Sequence, residues 1–132
     1  MSIWTHVIGC IRLDGMPSLP EIGGSKEDII RILGPISTYE NQQDISRLPR
    51  GSEGSLEYQI IEYNSGLPWL VIPIWGDLRD YDNITEIQDW WKQTLASFKI
   101  VRDAVLRVEV EKGPTIILSS GAEHDVIMEI RS

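Results

Sequence analysis

Residues 84–99 place Ile84, Ile87, Trp91, Leu95 and Phe98 at spacings of three and four, an apolar stripe that only a helix gathers onto one side. Thr85 with Gln88 has the form of a capping box one turn in. Such a helix needs a surface to bury its stripe against, and the flanking segments read as strands. In residues 3–13, Ile3, Val7, Ile11 and Leu13 share one parity with Thr5 and Gly9, while Trp4, His6, Ile8, Cys10 and Arg12 share the other. Asp14-Gly15, then Pro17 and Pro20, end that strand. Two more strands are predicted over 55–63 and 69–76, joined by Asn64-Ser65-Gly66, a hairpin signal with Gly where positive φ is needed. Pro73 inside the second predicts an edge strand or a bulge. Strands over 101–111 and 114–119 follow the long helix, and the alternation of Val126, Met128 and Ile130 completes the pattern. An earlier, shorter helix starts at Ser25 with Asp28 three residues on, carries Ile29, Ile30 and Leu33, and stops at Gly34-Pro35.

The order β-α-β-β-α-β with an added C-terminal hairpin or strand predicts a single α+β domain over 1–132. Its expected fold is a ferredoxin-like sandwich, an antiparallel sheet with both helices on one face. Two amphipathic helices find their apolar surface on one side of the sheet, and the other side is left over.

Charge narrows the function. Twenty Asp and Glu against twelve Lys and Arg give a net charge of −8, which repels phosphate backbones, so direct nucleic-acid binding is not expected. The basic residues are dispersed among the acids, which argues against a DNA mimic. A lone Cys10 provides neither an intramolecular disulfide nor a thiolate cluster. With no secretory pattern at residues 1–13 and no membrane-spanning apolar run, the expected compartment is the cytoplasm, without membrane association.

Three groups of residues are candidates for function. The first is the leftover sheet face, where Trp4, His6 and Arg12 point and where Tyr58, Trp75 and Arg107 are possible neighbours. Aromatics mixed with Arg have the composition of interface hot spots. The second is 76–83, Gly-Asp-Leu-Arg-Asp-Tyr-Asp-Asn, read as a loop from a strand end to the mouth of the long helix. Asp77, Arg79 and Asp80 there are expected to share a pocket rim with Arg47, Arg50 and Ser52 of the irregular stretch 35–54, long enough to read as functional. The plainer reading is that Asp and Asn before a helix simply cap it. The third is catalytic machinery, of which little is present. His6 and Cys10 share a strand face but sit about 13 Å apart along it, too far for a dyad. No GxSxG, HExxH, GxxxxGK[ST] or GxGxxG string occurs. No cofactor, bound metal or catalytic residue is expected, and the balance leans away from an enzyme.

The opening Met1-Ser2-Ile3-Trp4-Thr5-His6, then Arg12-Leu13-Asp14-Gly15, Gly51-Ser52-Glu53-Gly54-Ser55 and Gly76-Asp77-Leu78-Arg79-Asp80-Tyr81, resemble small uncharacterised proteins encoded by bacteriophages and prophages. The resemblance runs through most of the chain in scattered patches. It implies a non-enzymatic anti-defence protein, one that inhibits a host protein or sequesters a nucleotide-type signal molecule. The acidic surface favours the inhibitor, because Asp77, Asp80 and Asp82 would oppose phosphate. An oligomeric ligand-sensing or structural module and a small Mg-dependent hydrolase using residues 77–82 are the alternatives, and a homo-oligomer is expected.

Overall fold

The computed structural model describes residues 2–14, 26–34, 48–63, 69–81, 83–98, 101–120 and 126–131. Ser25, the turn at 64–66, Arg47, Asp82 and His124 lie outside them, with residues 15–24 and 35–46.

The alternation at the start of the chain becomes strand β1, Trp4–Asp14. Thr5, Val7, Ile11 and Leu13 are buried on one side of it, and His6 and Ile8 are exposed on the other. Helix α1, Lys26–Leu33, buries Ile29 and Leu33 and leaves Ile30 at the surface. It ends at Gly34, whose positive φ of 91° suits a residue without Cβ and whose N–H donates to Ile30 O at 2.8 Å. Two short strands follow, β2 (Glu57–Tyr58) and β3 (Ile61–Tyr63), then the long β4 (Trp69–Arg79). Helix α2, Ile84–Ser97, buries Ile87, Trp91, Thr94 and Leu95. The chain continues through β5 (Val101–Val110), β6 (Thr115–Ser120) and β7 (Val126–Arg131).

These seven strands form one antiparallel sheet in the order β2-β4-β1-β5-β6-β7, with β3 beside β2 along the same edge of β4. One parity of the long strands joins both helices in a single apolar cluster built on Ile11, Ile72, Ile74, Leu106, Trp91 and Leu95. Complete burial of side chains this large contributes about 1.5–3 kcal/mol each, and this is the main force holding helices to sheet.

The expected ferredoxin-like β-α-β-β-α-β sandwich is corrected by this arrangement. Strands hold 53% of the described residues and the two helices are short, so the fold is mostly antiparallel sheet. The physical reason lies at both margins. The C-terminal alternation supports two full strands, β6 and β7, of six residues each, so that sheet outweighs helices of 8 and 14 residues. At the other margin the predicted 55–63 strand is broken in two.

Pro73 explains that break. It sits inside β4, opposite Cys10 of β1, so β4 is an interior strand and not the edge that Pro73 suggested. Its carbonyl accepts from Gln59 N at 3.2 Å, so the position of its missing N–H also faces the β2–β3 side. The ladder therefore loses a bond between Tyr58 and Ile61, while β1 loses none. The start of α2 differs too. Asn83 is the N-cap, its side chain accepting from Glu86 N at 3.2 Å, two residues ahead of the Thr85–Gln88 box. Among the described residues no helix is long and apolar enough to cross a membrane.

Candidate functional site

Leu78 is buried in step with Leu70, Ile72 and Ile74, which keeps β4 in the sheet through Gly76, Asp77 and Arg79. The segment expected as a loop is thus strand up to Arg79, with Asp77 and Arg79 on its outer side. Residues 50–55 fold beside it as a tight turn, closed by the Arg50–Ser55 bridge and by Gly51 N donating to Gly54 O at 2.9 Å. Backbone bonds sew the turn to β4: Ser52 N donates to Arg79 O and Arg79 N to Glu53 O, both at 3.0 Å. Gly54 makes this approach possible. Its φ is +79°, and a Cβ there would lie 2.0 Å from Asp77 O. Gly54→Ala is expected to cost about 1–3 kcal/mol in urea unfolding, and unchanged stability would mean that the turn is not docked on β4.

This turn brings Ser52, Arg79 and Asp80 together, as the sequence suggested, and then uses them internally. The Arg79 guanidinium donates to Ser2 Oγ at 2.9 Å and to Glu53 Oε1 at 2.5 Å, with Asp80 Oδ2 at 3.8 Å from Nε. Asp80, at φ +52°, donates its N–H to Ile3 O at 2.7 Å and accepts Ile3 N on Oδ1 at 3.2 Å. Ser52 Oγ donates to Arg79 O at 3.2 Å. The cluster ties the start of the chain to the end of β4. It is a clamp.

Asp77 turns instead to His6, whose Nδ1 lies 2.6 Å from Asp77 Oδ1, with Glu111 Oε1 3.9 Å from Nε2. The hydrogen bond to Asp77 raises the imidazole pKa above its ordinary value near 6.5; slight burial opposes it, and the charges of Asp77, Glu111 and Glu109 add to the rise. Because the folded value is the higher one, protonated His6 stabilises the fold fully below about pH 6.5, and that contribution fades as pH climbs through the raised value. An NMR titration of His6 is expected to show a midpoint above 6.5 that falls in Asp77→Asn. An Asp77→Asn midpoint equal to wild type would contradict the pairing.

Among the described residues, no helix or strand packs against the reverse face of the sheet. The registers line up Trp75, Ile8, Arg107 and Ile117 across four strands, with Pro73, Cys10, Val105, Ser119 and Ile127 in the next row. Ile8 is 61% exposed, Val105 44% and Ile127 54%. Arg12 lies over the Trp69 ring, 3.7 Å from its centroid, presenting a guanidinium stacked on an indole. Burial pushes the Cys10 thiol up from its ordinary pKa, which leaves it a poor nucleophile at neutral pH. Of the residues expected here, Trp4, His6, Arg12, Trp75 and Arg107 are on this face. Tyr58 is not: it pairs with Ile74 on the core side, is 2% exposed, and donates its hydroxyl to Gly34 O. Glu57 holds the outward place opposite Trp75.

Ile8 and Val105 were legible from alternation alone, since Ile8 shares the parity of His6 and Cys10. Glu111 carried no such signal, because it reaches His6 only through the β1–β5 pairing.

Two clefts border the clamp. One of about 750 Å3 is lined by Arg50, Ser52, Glu53, Glu57, Trp75 and Asp77 and opens toward the uncovered face. The other, about 500 Å3, lies between Arg50 and the first turns of α2, lined by Asn83, Glu86, Asp89 and Trp90. Each sets one Arg against at least two carboxylates. Among the described residues, no group of three His, Cys, Asp or Glu side chains converges as a metal would require. No family model matches the chain, no curated protein matches it, and no solved structure matches it.

Proposed function

We propose that the chain is a non-enzymatic binding protein that engages a host protein through the uncovered sheet face, as a phage-encoded inhibitor acting in the cytoplasm. The observation that carries this reading is the exposure of Ile8, Val105 and Ile127 together on a face that also presents Trp75 and the Arg12–Trp69 stack. Apolar side chains left exposed on one face are costly in water and mark interaction sites, and Trp and Arg are the residues that anchor them. Asp77, Glu109 and Glu111 gather around His6 at one end of the same face, which suits a basic partner.

The nucleotide sponge has less support. Arg79, its intended phosphate fork, is taken up by Ser2, Glu53 and Asp80, and the adjoining clefts are predominantly acidic. A Mg-dependent hydrolase is weakened likewise, since Asp77 serves His6 and Asp80 serves Ile3.

The test is affinity capture from a bacterial host with wild type, Ile8→Asp and Arg79→Ala side by side, next to a thermal-shift screen against nucleotide signals. The proposal expects a partner retained by Arg79→Ala and lost by Ile8→Asp, with no nucleotide raising the melting temperature. Equal capture by Ile8→Asp, or marked stabilisation by a nucleotide, would overturn it.

A further inference from the structure

The Arg12 guanidinium is held at the end of the uncovered face away from His6, and its hydrogen-bond donors are not used there. On β4, Val71 stands opposite Arg12 and Trp69 lies two residues along on the same side. The guanidinium reaches diagonally across the strands onto the indole, 3.7 Å from the ring centroid. Its Nε is buried and has no hydrogen-bond partner. Among the described residues no hydrogen bond or ion pair engages the guanidinium, and Asp103, directly opposite on β5, makes none with it. The two Nη groups are not buried, so their donors reach solvent while the Nε side of the group stays dry.

A guanidinium positioned by stacking and lacking an acceptor leaves hydrogen-bonding capacity unmet, which calls for an explanation. The indole also holds the planar group in place, so little freedom remains to be lost when an acceptor arrives. Val71, and beyond it Ile61 at the β3 edge, give the guanidinium an apolar border, and Ile61 is 48% exposed.

We propose that Arg12 is an anion anchor that takes the carboxylate of an acidic side chain on the docked protein. The two Nη groups offer parallel N–H donors to the two oxygens of a carboxylate. The methylene stem behind that carboxylate finds Val71 and Ile61, and covering them expels water from around the ion pair, which strengthens it. A phosphate dianion fits less well, because Asp103 opposes its second charge. This assignment rests on the reading of the face as a docking surface and deepens it. Asp77, Glu109 and Glu111 gather around His6, six residues from Arg12 along β1, or about 20 Å. The partner is then expected to present a basic group and an acidic one at that separation, a pattern that fixes the direction in which it docks.

Propionate, which copies the glutamate side chain, tests the anchor without any partner. In NMR, propionate is expected to shift the Arg12 Nε–H and Trp69 indole N–H resonances saturably, with a midpoint on the order of ten millimolar for so small a ligand. Propionamide at equal ionic strength is expected to leave both in place, and inorganic phosphate to bind more weakly than propionate. Trp69→Leu, which removes the stack, is expected to weaken propionate binding roughly tenfold. Arg12→Lys is expected to do the same, because an ammonium offers no parallel fork. In the captured complex, Arg12→Gln is expected to weaken partner binding at least about tenfold. Resonances indifferent to propionate, phosphate binding tighter than propionate, or undiminished partner binding by Arg12→Gln would each overturn the anchor. A propionate response with no host protein captured would uphold the anchor and overturn the docking reading. If Trp69→Leu fails to fold, Arg12→Lys decides.

Discussion

Trp91→Ala is expected to destabilise the protein by about 3–5 kcal/mol, a loss at the upper end for a single core truncation. Trp91 is among the largest fully buried side chains, at 0% exposure, and sits midway along α2 between Ile87 and Leu95 on the side that meets the sheet. Removing it takes a large apolar area out of the core and leaves a hole that β-strands, fixed by their ladders, collapse into only in part. Against a typical total of about 5–15 kcal/mol, that loss removes a third or more of the stability. The indole also carries an internal cost, because its N–H donates to no group among the described residues. Leaving a buried donor unsatisfied costs about 1–3 kcal/mol, so Trp91→Phe, which deletes the donor and keeps most of the ring, is expected to be far milder than Trp91→Ala. Trp90, 6.1 Å away centroid to centroid and only partly buried, is the control, with a smaller loss on truncation. Urea unfolding of the three variants reads all of this directly. A Trp91→Ala loss below about 1 kcal/mol would mean that α2 does not cover the sheet.

Ile8→Asp is expected to abolish partner binding, by at least roughly a hundredfold, while leaving the fold largely intact. Ile8 stands on the central strand between Trp75 and Arg107, in the middle of the uncovered face. A carboxylate there must be desolvated against apolar surface when a partner docks, and Arg107, the cation opposite it on β5, already pairs with Glu109 at 3.0 Å. Stability changes little in comparison, by about 1 kcal/mol or less, because the side chain is 61% exposed and only the poor strand propensity of Asp is felt. Ile11→Asp, three residues along and fully buried, is expected to unfold the protein. The contrast between neighbouring positions on one strand separates loss of a surface from loss of a fold. Equal binding by Ile8→Asp and wild type would remove the face from consideration.

Much of this was written in alternation and helical spacing. Parity in residues 3–13 separates Val7, Ile11 and Leu13 from His6, Ile8 and Arg12, and the structure keeps that separation. Ile3 is the exception, since it precedes β1 and is 44% exposed. The stripe from Ile84 to Phe98 likewise marks the buried side of α2. The proportions of sheet and helix were less legible, because a three-residue alternation such as Val126, Met128, Ile130 does not reveal how far a sheet extends or where its edge falls. Tyr58 shows the limit of short strands. In a two-residue strand beside a proline, one step of register decides between core and surface, and no local pattern fixes that step. The candidate cluster was half legible. Leu78, continuing the even positions of Leu70, Ile72 and Ile74, already signalled that the strand runs past Gly76. What the sequence withheld was the use of Arg79: its partners Ser2 and Glu53 are 77 and 26 residues away, and only the fold brings them together.

Hydroxyl-radical footprinting, read residue by residue with and without the captured partner, bears most directly on a sheet sheltered on one flank and binding with the other. In the free chain Ile8 and Val105 should label strongly while their strand neighbours Val7 and Leu106 stay silent, and saturation with partner should quench the first pair alone. Protection of Ile8 and Val105 already in the free monomer, or undiminished labelling of both in the saturated complex, would contradict it.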